Sequence, residues 1–262
     1  MNVLTPRRSV LHPATYLRVI LAREQVDTGV CSPVRAVATT LFPLLSYWGN
    51  GYLLDIEPSG SFAKGTANRS NTDIDLFLTL SSSTPDTLAQ IRRSLGNCLI
   101  NHGYQYRDQN VSLGIKVADN KVDLVPGKRR SPYGADHSLC RKQGETWTKT
   151  NVQTHVSLVR GSGRTEEIRV IKLWRDQWCL DFPSIYLELL ALKALRGKPI
   201  GTLAHNVADL LHFFAEELMS TRIIDPSNTN NVISDELSIS GKQAIVAAAK
   251  RAFNGSWSNL VR

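Results

Sequence analysis

Gly60-Ser61-Phe62-Ala63-Lys64-Gly65-Thr66, followed shortly by Asp73-Ile74-Asp75-Leu76, is the stretch whose reading decides the fold. In a strand, side chains two apart share a face, so Asp73 and Asp75 project together while Ile74, Leu76 and Leu78 project to the other side. Two carboxylates on one face repel each other unless positive charge sits between them. A pair of Mg²⁺ ions, each wanting several oxygen ligands and about 3.5 to 4 Å apart, is what that arrangement can hold. A third carboxylate is then expected from a neighbouring strand. Asp123, in Lys121-Val122-Asp123-Leu124-Val125-Pro126, is the natural candidate because its apolar neighbours would face the core. Gly60 lets the backbone approach a phosphate closely, and the Ser61 hydroxyl with adjacent amides can bond its oxygens. The plainer alternative makes Asp73 and Asp75 a solvated strand face and Gly60-Ser61 a turn. The ordered set argues against it, since a solvated face needs no third carboxylate flanked by Val122 and Leu124.

Outward from this stretch, Tyr52 to Glu57 suits a strand ending at Pro58-Ser59-Gly60-Ser61, and Asp73 to Leu80 a second one. Leu88, Ile91, Leu95, Cys98 and Leu99 carry helical spacing, and Val111 to Val117 and Lys121 to Val125 read as paired strands joined at Asp119-Asn120. The amino-terminal part reads as helices, one around Tyr16 to Leu21 and one from Val34 to Trp48 that Pro43 can kink. Lys128 to Lys149 is basic, contains glycine and is expected to be a long irregular loop. Helical patterns follow at about 165 to 180, 184 to 196, 201 to 219 and 240 to 253. The expected division is residues 1–50 as helices packing on the core, 51–127 as the α/β core, 128–163 as a basic linking segment and 164–262 as a helical domain.

The chain has 262 residues, 42% of them hydrophobic, and a formal charge of +8 that suits acidic ligands such as nucleotides or nucleic acid. Cys31, Cys98, Cys140 and Cys179 show no paired spacing, so reduced thiols and a cytoplasmic location are expected. His137 and Cys140 are two ligands at most and do not close a structural zinc site. The amino terminus lacks the uninterrupted apolar run of a signal peptide, and nothing later could span a membrane.

Glycine-serine, then a D-x-D on a strand, then a later single Asp resembles the DNA polymerase β superfamily of nucleotidyltransferases. The resemblance narrows further along the chain. Trp147-Thr148-Lys149-Thr150-Asn151 with His155 is similar to a segment that precedes the helical half of bacterial cGAS/DncV-like nucleotidyltransferases, which make cyclic nucleotide second messengers. Arg169-Val170-Ile171-Lys172-Leu173-Trp174 resembles a helix shared by that family, oligoadenylate synthetases and archaeal CCA-adding enzymes, and Pro183-Ser184-Ile185-Tyr186-Leu187-Glu188 resembles the helix after it. Ile224-Asp225-Pro226 with Asn230-Asn231 is similar to an Asp-Pro and Asn-Asn pattern near the end of the same half.

The resemblance implies an α+β fold, a polymerase β-like catalytic core and a carboxy-terminal helical domain forming two lobes around one cleft. It implies catalytic, metal-binding roles for Asp73, Asp75 and Asp123 with two Mg²⁺ ions, or Mn²⁺ in their place. Nucleotide binding would fall to Gly60, Ser61, Lys172 and Ser184, with Lys64 added by its position near the cleft and Tyr186 as a ring that could stack on a base. Several of these have plain alternatives: Lys172 as a lysine beside a core Trp174, Ser184 as a helix cap, Tyr186 as a core ring rather than a base-stacking one, and Lys64 as a solvated charge. The implied activity joins a nucleoside monophosphate from a triphosphate to a hydroxyl, with a cyclic di- or oligonucleotide in antiphage signalling as the first expectation. An RNA 3′ end, as in CCA-adding enzymes, is the second acceptor, and a protein hydroxyl, as in toxin-like members, the third. The chain shows no dedicated tRNA-binding tail. A non-catalytic binder is disfavoured because it would have no need for three intact carboxylates. Nucleoside triphosphates are the expected partners, with an RNA or protein activator and a downstream effector of the product, and no membrane.

Overall fold

The computed structural model describes residues 12–29, 31–71, 73–142, 146–252 and 257–262. By internal contacts it forms two units. One comprises Gln25–Thr165 with Arg222–Leu237, and the other Met1–Glu24, Glu166–Thr221 and Ser238–Arg262.

The first unit is built on a mixed sheet. Its elements are helix α2 (Pro33–Gly49), strand β1 (Leu53–Pro58), the single-turn helix α3 (Gly60–Lys64), β2 (Ile74–Leu80), α4 (Leu88–Asn101), β3 (Arg107–Asp108), β4 (Leu113–Val117), β5 (Asn120–Arg129), β6 (His137–Cys140), β7 (Trp147–Thr150) and α5 (Val152–Arg160). The main path runs β1-β2-β5-β4-β3, and β6 and β7 extend it from the far half of β5. β2 and β5 are parallel; β1 with β2, β4 with β5, and β5 with β6 are antiparallel.

Alternation decides which side chains of β2 and β5 enter the core under the helices and which face the other way. Ile74, Leu76 and Leu78 of β2 and Val122 and Leu124 of β5 pack into one core with Val34, Val37, Leu41 and Leu45 of α2 and Leu95 and Leu99 of α4. The intervening residues of β2 and β5, Asp75 and Asp123 among them, are thereby turned to the opposite face. The helices that cover the core face start on local signals. Ser32 accepts the Arg35 backbone N–H at 3.4 Å ahead of Pro33, and Thr87 forms a capping box with Gln90 at the start of α4.

The expectation of a long irregular loop over 128–149 is corrected by β6 and β7, which pair through His137↔Thr150 and Cys140↔Trp147. β5 does not stop at Val125 either. Pro126 pairs Leu78 of β2 at a point that β4 has already left (its last partner is Leu124) and that β6 has not reached (its first is Lys128), so the missing proline N–H costs no ladder bond to either.

The second unit is helical: α1 (Pro13–Arg23), α6 (Thr165–Gln177), α7 (Ser184–Ala194), α8 (Leu203–Glu216), α9 (Ile239–Ala252) and α10 (Trp257–Leu260). Its core includes the fully buried Trp174, Tyr186 and Phe214. Polar ties cross it: Arg169 donates to the carbonyls of Leu21 and Glu24 at 2.9 Å each, and Asn206 to Glu167 at 2.7 Å. Among the described residues no helix is long and apolar enough to cross a membrane.

Candidate functional site

The parallel register places Asp75 directly beside Asp123. Neighbouring strands lie about 4.8 Å apart, so two carboxylates share one patch of the face opposite the core. Asp73, just before β2, belongs to the same patch. The Asp123 carboxyl is raised from its ordinary range first by burial and then by the negative charge of Asp73, while Arg107 and a hydrogen bond from Gln109 oppose the rise. Like charges held this close favour a cation between them.

Gly60 closes one side of the patch. Its φ is +56°, and a Cβ there would lie 1.8 Å from Asp75 Oδ2, so only glycine permits both the backbone turn and the approach of the carboxylate. The Ser59 N–H donates to the Asp75 carbonyl at 2.8 Å, which fastens the Gly60-Ser61 turn to β2. Ser61 follows in α3, half-buried, and Lys64 ends the same turn of helix, 8% exposed.

Among the described residues no group of three or more His, Cys, Asp or Glu side chains is arranged to hold a metal ion as it stands. The donor chemistry nevertheless fits a divalent ion of the Mg²⁺ kind. The oxygen donors are carboxylates alone, two sit side by side in register, and the third adds repulsion that a cation would relieve.

The remaining expected nucleotide-binding residues lie in the helical unit. Lys172 is 4% exposed, and its Nζ donates to Glu188 Oε1 at 2.7 Å in a buried ion pair. Ser184 is the first residue of α7, whose cap position is Pro183; its hydroxyl accepts from Arg175 at 3.0 Å, so the helix-cap alternative for Ser184 gives way to a bond with a neighbouring helix. Tyr186 is fully buried, edge-on to Phe182, with no hydrogen-bond partner for its hydroxyl among the described residues, and burial pushes that phenol up to about 12.

Two residue sets escaped sequence reasoning or were left without a role by it. Gln109 and Arg107, which act on Asp123, carry no motif. The patches around Trp147 and Asp225 do, and the structure brings them together. His155 Nε2 lies 2.7 Å from Asp225 Oδ1, Ser227 donates to the same oxygen at 2.8 Å, and Asn228 donates to Thr148 at 3.3 Å. Between them is a cavity of about 430 Å³ lined by Arg130, Arg141, Trp147, Lys149 and Asn228 to Asn231. Burial would raise the Asp225 carboxyl, but the bonds from His155 and Ser227 prevail and hold it at about 2. His137, weighed as half of a zinc site, is a core side chain, bonded to Ala135 O at 3.0 Å and edge-on to Phe77.

A sheet with this strand order and these carboxylates, joined in one chain to a helical unit, has the fold of the polymerase β-like nucleotidyltransferases. Within that class the chain is similar to Escherichia coli MS115-1 CdnC, solved with ATP at a TM-score of 0.75 and 20% identity over 92% of this chain and 89% of that one. The same relative in complex with HORMA-deltaN gives a TM-score of 0.74 and 21% identity, covering 93% and 90% of the two chains. In sequence the chain is 25% identical over 240 residues to the cyclic AMP-AMP-AMP synthase of Escherichia coli (strain MS 115-1), matching 74% of this chain and 73% of the relative. The Cid1 poly(U) polymerase bound to Mg and 3′-dATP aligns with a TM-score of 0.66 and 13% identity over 92% of this chain and 94% of that one. No protein-family model matches the chain.

Proposed function

We propose that this chain is a metal-dependent nucleotidyltransferase that uses nucleoside triphosphates, releases pyrophosphate and synthesises a cyclic oligonucleotide second messenger in cytoplasmic antiphage signalling. The observation that carries the proposal is the register pairing of Asp75 with Asp123, with Gly60 left bare of a side chain against Asp75. The sequence likeness to a cyclic AMP-AMP-AMP synthase supports a cyclic adenylate as the product and ATP as the substrate.

Asp73, Asp75 and Asp123 would hold the two Mg²⁺ ions, which when bound lower the pKa of the acceptor hydroxyl and neutralise charge on the triphosphate. The acceptor oxygen forms a bond to the α-phosphorus, the α–β phosphoanhydride breaks, and pyrophosphate leaves with that electron pair. Asp123 takes up the hydroxyl proton. Gly60 gives the backbone amides after it access to the phosphates, where the Ser61 hydroxyl adds a donor. Lys64, Lys172 and Ser184 are the further phosphate contacts we assign. For Lys172 this requires the ammonium to share its protons between Glu188 and the ligand. Tyr186, enclosed in its core, serves the site by fixing α7 rather than by stacking on a base. The solved complex of CdnC with HORMA-deltaN supports a protein partner for this chain, to which we assign the role of activator, and the product would act on a separate effector.

The fold likeness to a poly(U) polymerase favours a second reading, transfer to an RNA 3′ end. One experiment separates the two: purified protein with Mn²⁺ or Mg²⁺ and labelled nucleoside triphosphates, with and without RNA, followed by phosphatase and mass spectrometry. Small phosphatase-resistant products that vanish in the Asp73→Ala, Asp75→Ala double variant support the cyclic synthase. Label carried only by RNA supports the second reading.

A further inference from the structure

Four residues stand in one row across the sheet: Arg107 on β3, Gly114 on β4, Asp123 on β5 and Asp75 on β2, each the register partner of the next. The row has a gap at Gly114. A Cβ at Gly114 would lie 2.7 Å from Gln109 Nε2 and 2.9 Å from Asp123 Oδ1, so the missing side chain is the space through which Gln109 reaches the carboxylate. Gln109 Nε2 donates to Asp123 Oδ1 at 2.8 Å.

The carboxamide is itself held at its other end. Ser112 Oγ donates to Gln109 Oε1 at 3.1 Å, which fixes which end of the amide faces Asp123, and the Gln109 N–H donates to the Ser112 carbonyl at 3.1 Å across the β3–β4 turn. Arg92 of α4 fastens the turn from behind. It donates to the carbonyl of Gln109, to the carbonyl of Ser112 at 3.2 Å and to Asp108 Oδ1 at 3.2 Å through Nε. An arginine with an 11% exposed side chain that also donates to the Cys140 carbonyl at 3.4 Å ties the turn to the sheet.

We infer that Gln109 is a positioning residue for Asp123, held by Ser112 and Arg92, that fixes the carboxylate through Oδ1 while leaving its negative charge for a divalent ion; this rests on the nucleotidyltransferase reading above. The choice of an amide has a physical reason. A lysine or arginine bonded to Oδ1 would cancel the charge that the ion needs, and a glutamate would add repulsion and supply no donor. A neutral donor orients the group and does neither. Outer-sphere bonds of this kind are worth about 10- to 100-fold in metal affinity or activity.

The test is a Mn²⁺ titration of the full chain followed by electron paramagnetic resonance, run beside steady-state kinetics and thermal melts, on wild type, Gln109→Ala, Gln109→Met, Gly114→Ala and Asp123→Asn. Gln109→Ala is expected to weaken Mn²⁺ binding about tenfold and to lower kcat, with the KM for ATP changed less than about twofold and Tm near wild type. Gln109→Met keeps the length of the side chain without its donor and has the same expected loss. Gly114→Ala, which fills the gap, should mimic Gln109→Ala. Wild-type Mn²⁺ affinity in Gln109→Ala, or in a folded Gln109→Met should Gln109→Ala not fold, overturns the inference while the Asp123→Asn control keeps the site. A wild-type chain that binds Mn²⁺ no better than Asp123→Asn overturns the site and the inference with it.

Discussion

The sheet unit and the helical unit treat their candidate functional residues in opposite ways. On the sheet, Asp75 and Asp123 are partly exposed, in register, and held from outside by Gly60 and Gln109. In the helical unit, Lys172, Ser184 and Tyr186 are drawn into internal structure: Lys172 onto Glu188, Ser184 onto Arg175 and Tyr186 into the apolar core. A strand motif with a period of two fixes which face a side chain occupies as soon as the core face is known. A helical motif leaves the facing to the packing around it.

The largest effect that tests this contrast is on the sheet. Asp75→Asn or Asp123→Asn should lower nucleotidyl transfer by on the order of a thousandfold while leaving the melting temperature close to wild type, because removing a repelling carboxylate costs the fold little. A comparable loss from Ser184→Ala would break the contrast. Gly60→Ala comes next. Its added Cβ must push Asp75 aside, and a displacement of that size costs activity about a hundredfold, read as a fall in kcat with the chain still folded.

In the helical unit the expected effect is on stability first. Lys172→Met takes the ammonium away from Glu188, which is 0% exposed, and should cost about 3 to 5 kcal/mol in urea denaturation. Lys172→Met with Glu188→Leu should recover most of that loss. The double variant also sharpens the assignment: a raised KM for ATP in a stable protein places Lys172 on the triphosphate, whereas an unchanged KM leaves it a structural cation.

The legible part of the site follows from the same contrast. Asp73-Ile74-Asp75 and Val122-Asp123-Leu124 could be read because the apolar residues between the aspartates announce the core face, and β2 and β5 pair as that reading requires. Gln109 could not, since its reach to Asp123 depends on a gap at Gly114 one strand away. β6 and β7 were hidden by their brevity and by the polar stretch joining them. The stop assigned at Pro126 followed from a general rule about prolines that the gap between β4 and β6 suspends here. α5 carried a signal that could have been used. Asn151 caps it, its side chain accepting the Thr154 N–H at 3.0 Å, ahead of Val152, Val156 and Val159 at helical spacing.

The smallest expected effect concerns the Asp225 turn, which belongs to the sheet unit without belonging to its carboxylate row. The folded-state carboxyl of Asp225 is depressed to about 2, so the stability it contributes is present above the unfolded value of about 3.9 and is lost as pH falls from there toward 2. Asp225→Asn should therefore be less stable than wild type at pH 7 by about 2 kcal/mol, with the difference shrinking below about pH 4 in parallel denaturation curves. A difference that stays constant with pH would assign the turn's stability to shape rather than charge.

The central claim is that the register-paired carboxylates make this sheet a phosphoryl-transfer site. Pyrophosphate release from ATP, measured with Mn²⁺ present and with the metal chelated, for wild type, Asp75→Asn and Asp123→Asn, tests it most directly. The account predicts metal-dependent release by the wild type that both substitutions abolish. Release that persists in either variant, or that is unaffected by chelation, would contradict it.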